Sequence, residues 1–378
     1  MLNTFKNKYS TCVYLIFIIF FGCNIYAQQD AAYNYLPGDT AVAKDRLFFE
    51  TNEIESGDMI IRGHLMEKFP IISEDEINKI ILSKSVTRTG NSKTDSSNSS
   101  ASENSYKISF QVPVNYLEDT AKILWQLNIP GFESKIYQLY NGRQIFIDKW
   151  PNVIGKKSTK TYTGNFTAYK IRNWPSYKDP EPSKKDLAPT PPGINNPLGL
   201  FVVHYDENSL RYFHGTNQNG LLQNKMRNLS HGCVRNDNSN IAKMKEFLIS
   251  RVVKSKDLTS WLSSKKTLIY DFEETDKFPV VIIYKTFEMD RDAIGKYIIL
   301  YKDIYNYSNS VNIDSERDDP GLITLTNKDN LISEYNSVFG RDMTPEALSM
   351  IVEYLINNGK AYEKYYVDEL KKKFMIEN

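Results

Sequence analysis

"RNLSHGCVRND", residues 227–237, is the stretch on which the reading of this chain turns. The chain has four histidines (His64, His204, His214 and His231) and three cysteines (Cys12, Cys23 and Cys233). Three of the histidines and one cysteine fall between positions 204 and 233. A thiol next to imidazoles suits nucleophilic catalysis, with Cys233 as nucleophile and a histidine as its base. Gly232 lets the backbone pass close to a substrate. Cys233 also lies a few residues before a predicted helix, "NSNIAKMKEFLISRVV", with an apolar stripe at Ile241, Met244, Phe247 and Leu248. A helix N-terminus and nearby amides favour a thiolate, and the amides of Gly232 and Cys233 are candidate oxyanion donors.

His214 ends a predicted strand, "LRYFHGT", from which its ring can take the thiol proton across a sheet. His231 stays open as the alternative base, because positions i and i+2 share a face in extended backbone. A zinc site of His214, His231 and Cys233 is the metal alternative; a His-x-Cys pair without a second cysteine fits it poorly. A cysteine buried in the core is the other competing reading. His204, among aromatic and aliphatic neighbours, reads as structural or pocket-lining, and His64 is given no role.

Outward from the motif the chain is mostly β. "LFVVHYD" and "LRYFHGT" flank a turn at Asp206-Glu207-Asn208. "KIYQLYNGRQIFIDKW" is a hairpin with Asn141-Gly142 at its tip. "FPVVIIYKTFEMD" and "AIGKYIILYKDIYNY" read as a strand pair, and "TAKILWQLNIPGF" as the end of a helix leading into a strand. A helix is predicted over Glu74–Leu82 after the capping-type "SEDE". Residues 83–106 are rich in Ser, Thr and Asn and read as a linker or disordered insert. The tail, from Thr344 on, reads as helical. The expected divisions are 28–82, of no assigned role, the linker at 83–106, a catalytic domain at 107–307 and a C-terminal helical segment at 308–378.

The N-terminus bears on the thiol. Lys6 and Lys8 precede the apolar run 13–22, which reads as an export signal over 1–27. One processing route cleaves after Ala27. The other cleaves before Cys23 and acylates it, giving a lipid anchor; a retained membrane anchor is a third reading. The first two predict an exported protein of the periplasm or cell envelope, with Cys233 its only unmodified thiol. An unpaired cysteine in oxidising surroundings is a liability unless it is used. The net charge of +1 gives no general attraction to nucleic acid.

His214, a fifteen-residue spacer and "SHGCVR" at 230–235 together resemble the signature of L,D-transpeptidases with a YkuD-type catalytic domain. "TYTGNF" is similar to that family's Thr-Pro-Thr-Gly-x-Phe segment, with Tyr162 in place of proline. "PPGINNPLG" is similar to its approach to the site, and the likeness runs from about Ile123 to Tyr307. The resemblance implies an α+β fold: a mostly β catalytic domain, a mixed sandwich or barrel-like sheet, with helical flanking segments. It implies peptidoglycan stem peptides as substrates, Cys233 as nucleophile and His214 as base. His231, Arg235, Gly232 and Ser230 would line or support the pocket, and the Gly215 carbonyl would hold the imidazole. No metal or organic cofactor is implied, and carbapenems are implied as covalent inhibitors. A peptidoglycan-binding repeat, which many relatives carry, is not found in the sequence.

Overall fold

The computed structural model describes residues 30–33, 42–89, 105–179, 183, 186–209 and 211–376. The signal segment and Cys23 lie outside these residues. The chain divides into two compact units, one holding described residues up to Glu118 and the other beginning at Asp119.

The first unit is an antiparallel sheet with two helices. Its elements are β1 (Asp30–Tyr33), β2 (Val42–Thr51), α1 (Gly57–Lys68), α2 (Glu74–Leu82), β3 (Ser85–Arg88) and β4 (Tyr106–Pro113), with strand order β1-β2-β4-β3. Helix α2 starts where the sequence predicts it. The Ser73 hydroxyl accepts from the Glu76 N–H at 3.2 Å, and Ile77, Ile80 and Ile81 are buried. Two expectations are corrected here. Residues 85–88, read as linker, form an exposed edge strand, with Val86 opposite Ile108. Their Ser-Val-Thr-Arg run buries nothing and so leaves no apolar alternation to read. Strand β4, placed at the start of the catalytic domain, belongs to this sheet instead, where Phe110 meets Phe49 edge-on at 6.4 Å. The division therefore falls after Glu118 and not at 106/107.

In the second unit, the sheet order β19-β16-β5-β6-β7 joins β5 (Lys122–Asn128), β6 (Glu133–Tyr140), β7 (Arg143–Pro151), β16 (Phe278–Lys285) and β19 (Ile323–Thr324), and β9 (Gly164–Ala168) also pairs with β16. The stretch read as a helix end is strand β5. It runs parallel to β16 and antiparallel to β6. Ile123, Leu124, Trp125 and Leu127 are all buried, so the strand shows no alternation, which is why periodicity missed it. The hairpin of β6 and β7 turns at Asn141 and Gly142, with φ of 49° and 74°, as a two-residue turn of this hand requires.

A second sheet has the order β14-β12-β11-β10-β15, from β10 (Lys170–Asn173), β11 (Phe201–His204), β12 (Tyr212–His214), β14 (Val234–Arg235) and β15 (Leu268–Asp271). Among the described residues no sheet closes on itself, so the fold is α+β with open mixed sheets. The two sheets share a core: Trp125 of β5 stacks on Phe213 of β12 at 4.0 Å between ring centroids, and Trp150 meets Trp125 edge-on at 5.8 Å. Such aromatic pairs add about 0.5–1.5 kcal/mol to the burial of their area.

Strands β17 (Phe287–Arg291) and β18 (Lys296–Leu300) form the hairpin expected near the C-terminal side, while β16 joins the first sheet. Helices α4 (Lys328–Phe339), α5 (Pro345–Asn358) and α6 (Val367–Lys373) pack on that hairpin. Phe287, Ile298, Leu331, Ile351, Leu355 and Val367 form one buried cluster. Two helices lie in the tail read as helical, but a short strand, Lys364–Tyr366, stands between them and pairs with β18, and the tail belongs to the same compact unit, so 307/308 is not a division.

Candidate active site

The site is built on one face of the second sheet. Strand β12 lies between β11 and β14, with Val202 opposite His214, His204 opposite Tyr212 and His214 opposite Arg235. Because side chains alternate along a strand, Phe213, Val203, Ile171 and Val234 point into the core, where all four are fully buried. Arg172, His204, Tyr212, His214 and Arg235 then share the opposite face. One step before Val234 stands Cys233, beside Tyr212, whose backbone N–H points at the sulfur.

The turn before Cys233 is tied by short bonds. The Ser230 hydroxyl donates to the Cys233 carbonyl at 2.6 Å and accepts from the Gly232 N–H at 3.1 Å. The Thr161 hydroxyl donates to the Gly232 carbonyl at 2.9 Å. Gly232 has φ of 108°, and a Cβ there would stand 2.7 Å from Arg211 Nε and 3.0 Å from the Lys160 carbonyl oxygen. Only glycine fits. The expected support role of Ser230 therefore has a geometry, whereas the Gly232 amide is engaged within the turn and is not an oxyanion donor in this arrangement. The following helix, α3 (Asn238–Phe247), with Ile241, Met244 and Phe247 buried, is capped by the Asp237 side chain accepting from the Ser239 N–H at 2.7 Å.

His214 is held on both sides. Its Nδ1 lies 2.6 Å from the Gly215 carbonyl oxygen. A carbonyl only accepts, so Nδ1 carries the proton and Nε2 is the basic nitrogen. The His214 carbonyl accepts from the Asn236 N–H at 2.8 Å. Behind it runs a buried polar chain: Asn152 Nδ2 donates to Asn236 Oδ1 at 2.8 Å, and Ser134 donates to Asn152 Oδ1 at 2.6 Å. A Cβ at Gly215 would crowd Asn238 Oδ1, which accepts from the Thr216 N–H at 3.0 Å.

The electrostatics differ from the thiolate expected of the sequence. Burial, reinforced by the Arg235 charge, lowers the His214 pKa to about 3. Burial raises the Cys233 thiol pKa, opposed by the Tyr212 N–H and by Arg211, Arg235 and Arg172. Although Cys233 is only half-buried as a residue, its sulfur sits in dense surroundings, and desolvation outweighs the cations. The helix start does not help, because Asp237 already caps it. Burial thus favours the neutral form of the thiol and of the imidazole alike.

His231 is exposed on the turn, whereas His214 is buried with its tautomer fixed. His204 is buried against Tyr212 at 4.3 Å between rings, and burial lowers its pKa to about 4. Among the described residues no group of three or more His, Cys, Asp or Glu is placed to hold a metal ion. Arg172, Arg211, Tyr212, Thr161 and Asn236 were not singled out from the sequence. Arg172 in "YKIRNW" carried one signal, a charge between apolar neighbours of a strand.

Fold and site together define a cysteine–histidine domain on a mixed β-sheet. Residues 133–282 match the family model described as the L,D-transpeptidase catalytic domain, YkuD. No curated protein matches the chain. Among solved structures, an L,D-transpeptidase from Mycobacterium smegmatis is 14% identical, over 68% of this chain and 97% of its own, with a TM-score of 0.27. The LD transpeptidase LdtMt1 in complex with imipenem is 11% identical, over 68% of this chain and 99% of its own, with a TM-score of 0.26. A mutant L,D-transpeptidase of Enterococcus faecium is 14% identical, over 46% and 53%, with a TM-score of 0.26. The assignment rests on the family match and not on these superpositions.

Proposed function

We propose that the protein is a peptidoglycan L,D-transpeptidase that forms 3→3 cross-links through a Cys233 acyl-enzyme. The observation that carries this reading is the Nδ1 bond of His214 to the Gly215 carbonyl, which leaves Nε2 as a base on the sheet face that carries Cys233. Substrate binding brings the carbonyl of the third stem residue to the sulfur. Sγ attacks as Nε2 takes the thiol proton, so charge develops only as the C–S bond forms. The imidazolium then returns the proton to the leaving amine, the C–N bond breaks, and D-alanine departs. The amine of a neighbouring stem attacks the thioester, and the thiol is regenerated. Ser230 and Thr161 hold the nucleophile's turn, and Arg235 faces the substrate.

Water as acceptor would make the protein an L,D-carboxypeptidase, and a lysine of an envelope protein would make it an anchoring enzyme. A wall-binding protein without turnover is the reading from a different class. Incubation with tetrapeptide-stem muropeptides, with products followed by mass, separates the four. The proposal expects dimers and free D-alanine; unchanged substrate refutes it. Carbapenems are expected to acylate Cys233. Export with a mature chain starting at Gln28 belongs to the same proposal. Intact mass of the native protein tests it, and an acylated start at Cys23 would replace it with a lipid-anchored form.

A further inference from the structure

Three guanidinium groups converge near Cys233, and none of them has an acidic partner among the described residues. Arg235 stands opposite His214 in the register. Arg211 Nε donates to the Lys160 carbonyl at 2.9 Å, beside Gly232. Arg172 lies 6.0 Å over the Tyr212 ring, on the same sheet face, and its Nε is buried without a hydrogen-bond partner. The His204 Nε2, on that face and itself 9% exposed as a residue, is likewise buried and unpartnered. Elsewhere in this unit several such cations have acidic partners: Lys135 reaches Glu288 at 3.2 Å and Asp290 at 2.9 Å, and Lys285 and Lys296 are likewise paired, while Arg227 is held by the carbonyls of Phe132, Asn152 and Asn224. A half-buried guanidinium left unpaired is costly, and three around one thiol form a preorganised anion site.

We propose that Arg172, with Arg211 and Arg235, forms a cationic socket beside Cys233 that holds the carboxylates of the peptide being cleaved, first of all the free C-terminal carboxylate of the leaving residue. That carboxylate lies two bonds beyond the scissile nitrogen, so it must sit close to the sulfur whenever the carbonyl does. Planar guanidinium groups suit it bidentately, and an amide in its place would leave the cations unmatched. Arg172 is thereby a specificity-determining residue for peptides with a free C-terminus. The peptide part rests on the functional reading above; the anion socket does not.

The test uses two alkylating reagents on the intact protein. Iodoacetate and iodoacetamide attack the same thiolate, so their rate ratio cancels the thiol pKa and reports attraction of an anion. Relative to free cysteine, the ratio at Cys233 is expected to be about tenfold higher at low salt and to fall as salt rises. Arg172→Gln is expected to lower it about threefold or more, and Arg172→Lys to restore part of it. A wild-type ratio equal to that of free cysteine, or a ratio that ignores both salt and Arg172→Gln, overturns the socket. The salt series needs no variant and stands even if Arg172→Gln fails to fold. A second arm compares tetrapeptides with free and amidated C-termini: the socket predicts a KM preference for the free acid that Arg172→Gln erases with less effect on kcat. Equal KM values in the wild type overturn the assignment of that carboxylate. Absence of turnover with either peptide counts against the transpeptidase reading, while the reagent ratio still decides the socket.

Discussion

Ser230→Ala removes two bonds from the turn that carries Cys233. Ser230 is 1% exposed, and its hydroxyl bridges the Cys233 carbonyl at 2.6 Å and the Gly232 N–H at 3.1 Å. Each neutral bond contributes about 1 kcal/mol net, and a buried group left unpaired costs about 1–3 kcal/mol. The substitution should therefore destabilise the unit by about 2–4 kcal/mol. For a unit of this size that lowers the midpoint of thermal unfolding by roughly 5–15 °C. Cys233 should move as well, because the bond to its own carbonyl fixes where its backbone sits. The assays are a thermal melt and the release of D-alanine from a tetrapeptide, run on Ser230→Ala and Ser230→Thr. Threonine keeps the hydroxyl and should retain most of both properties. If Ser230→Ala changes stability by less than about 0.5 kcal/mol and leaves turnover intact, the turn is not held as described.

Three further predictions rest on the electrostatics. Because Cys233 is raised and His214 lowered, alkylation of the thiol by iodoacetamide should climb only above the ordinary thiol range; a plateau at pH 5–6 would reveal a standing ion pair. For the same reason His214→Ala should abolish turnover while moving the alkylation midpoint little, and His231→Ala should do neither; if His231→Ala alone stops turnover, the two roles are exchanged. The second unit should also weaken in acid. His204 drops from 6.5 unfolded to about 4 folded, so its contribution is complete above pH 6.5 and is lost as pH falls toward 4. At about 1.4 kcal/mol per unit this is about 3 kcal/mol, and His204→Phe should make denaturant midpoints fall less steeply across that window, the remaining slope coming from His214, lowered to about 3.

The centre of the proposed site is readable in the sequence because its residues are local. Cys233, Gly232 and Ser230 lie within one turn, and His214 closes a strand that alternates visibly. The hairpin at Asn141-Gly142, the cap at Ser73 and the stripe of α3 are local signals too. What stayed hidden depends on partners far along the chain. Strand β5 is covered on both faces, so its Ile-Leu-Trp run mimics a buried helix. Strand β3 buries nothing and looks like linker. Arg172 and Arg211 reach the thiol only through the register of β10, β11 and β12, and the resting charge state of Cys233 depends on burial, which the folded unit alone defines. The C-terminal helices carried no sign that their apolar faces close over the β17–β18 hairpin.

The most direct test of the central claim is to capture the acyl-enzyme. Purified protein is mixed with a tetrapeptide stem, quenched in acid within a turnover, digested and mapped by mass. A tripeptide acyl adduct is expected on the peptide containing Cys233, matched mole for mole by released D-alanine in the first turnover, and neither product from Cys233→Ala. D-alanine released by folded Cys233→Ala at more than about a tenth of the wild-type rate, or an adduct on any other residue, would contradict it.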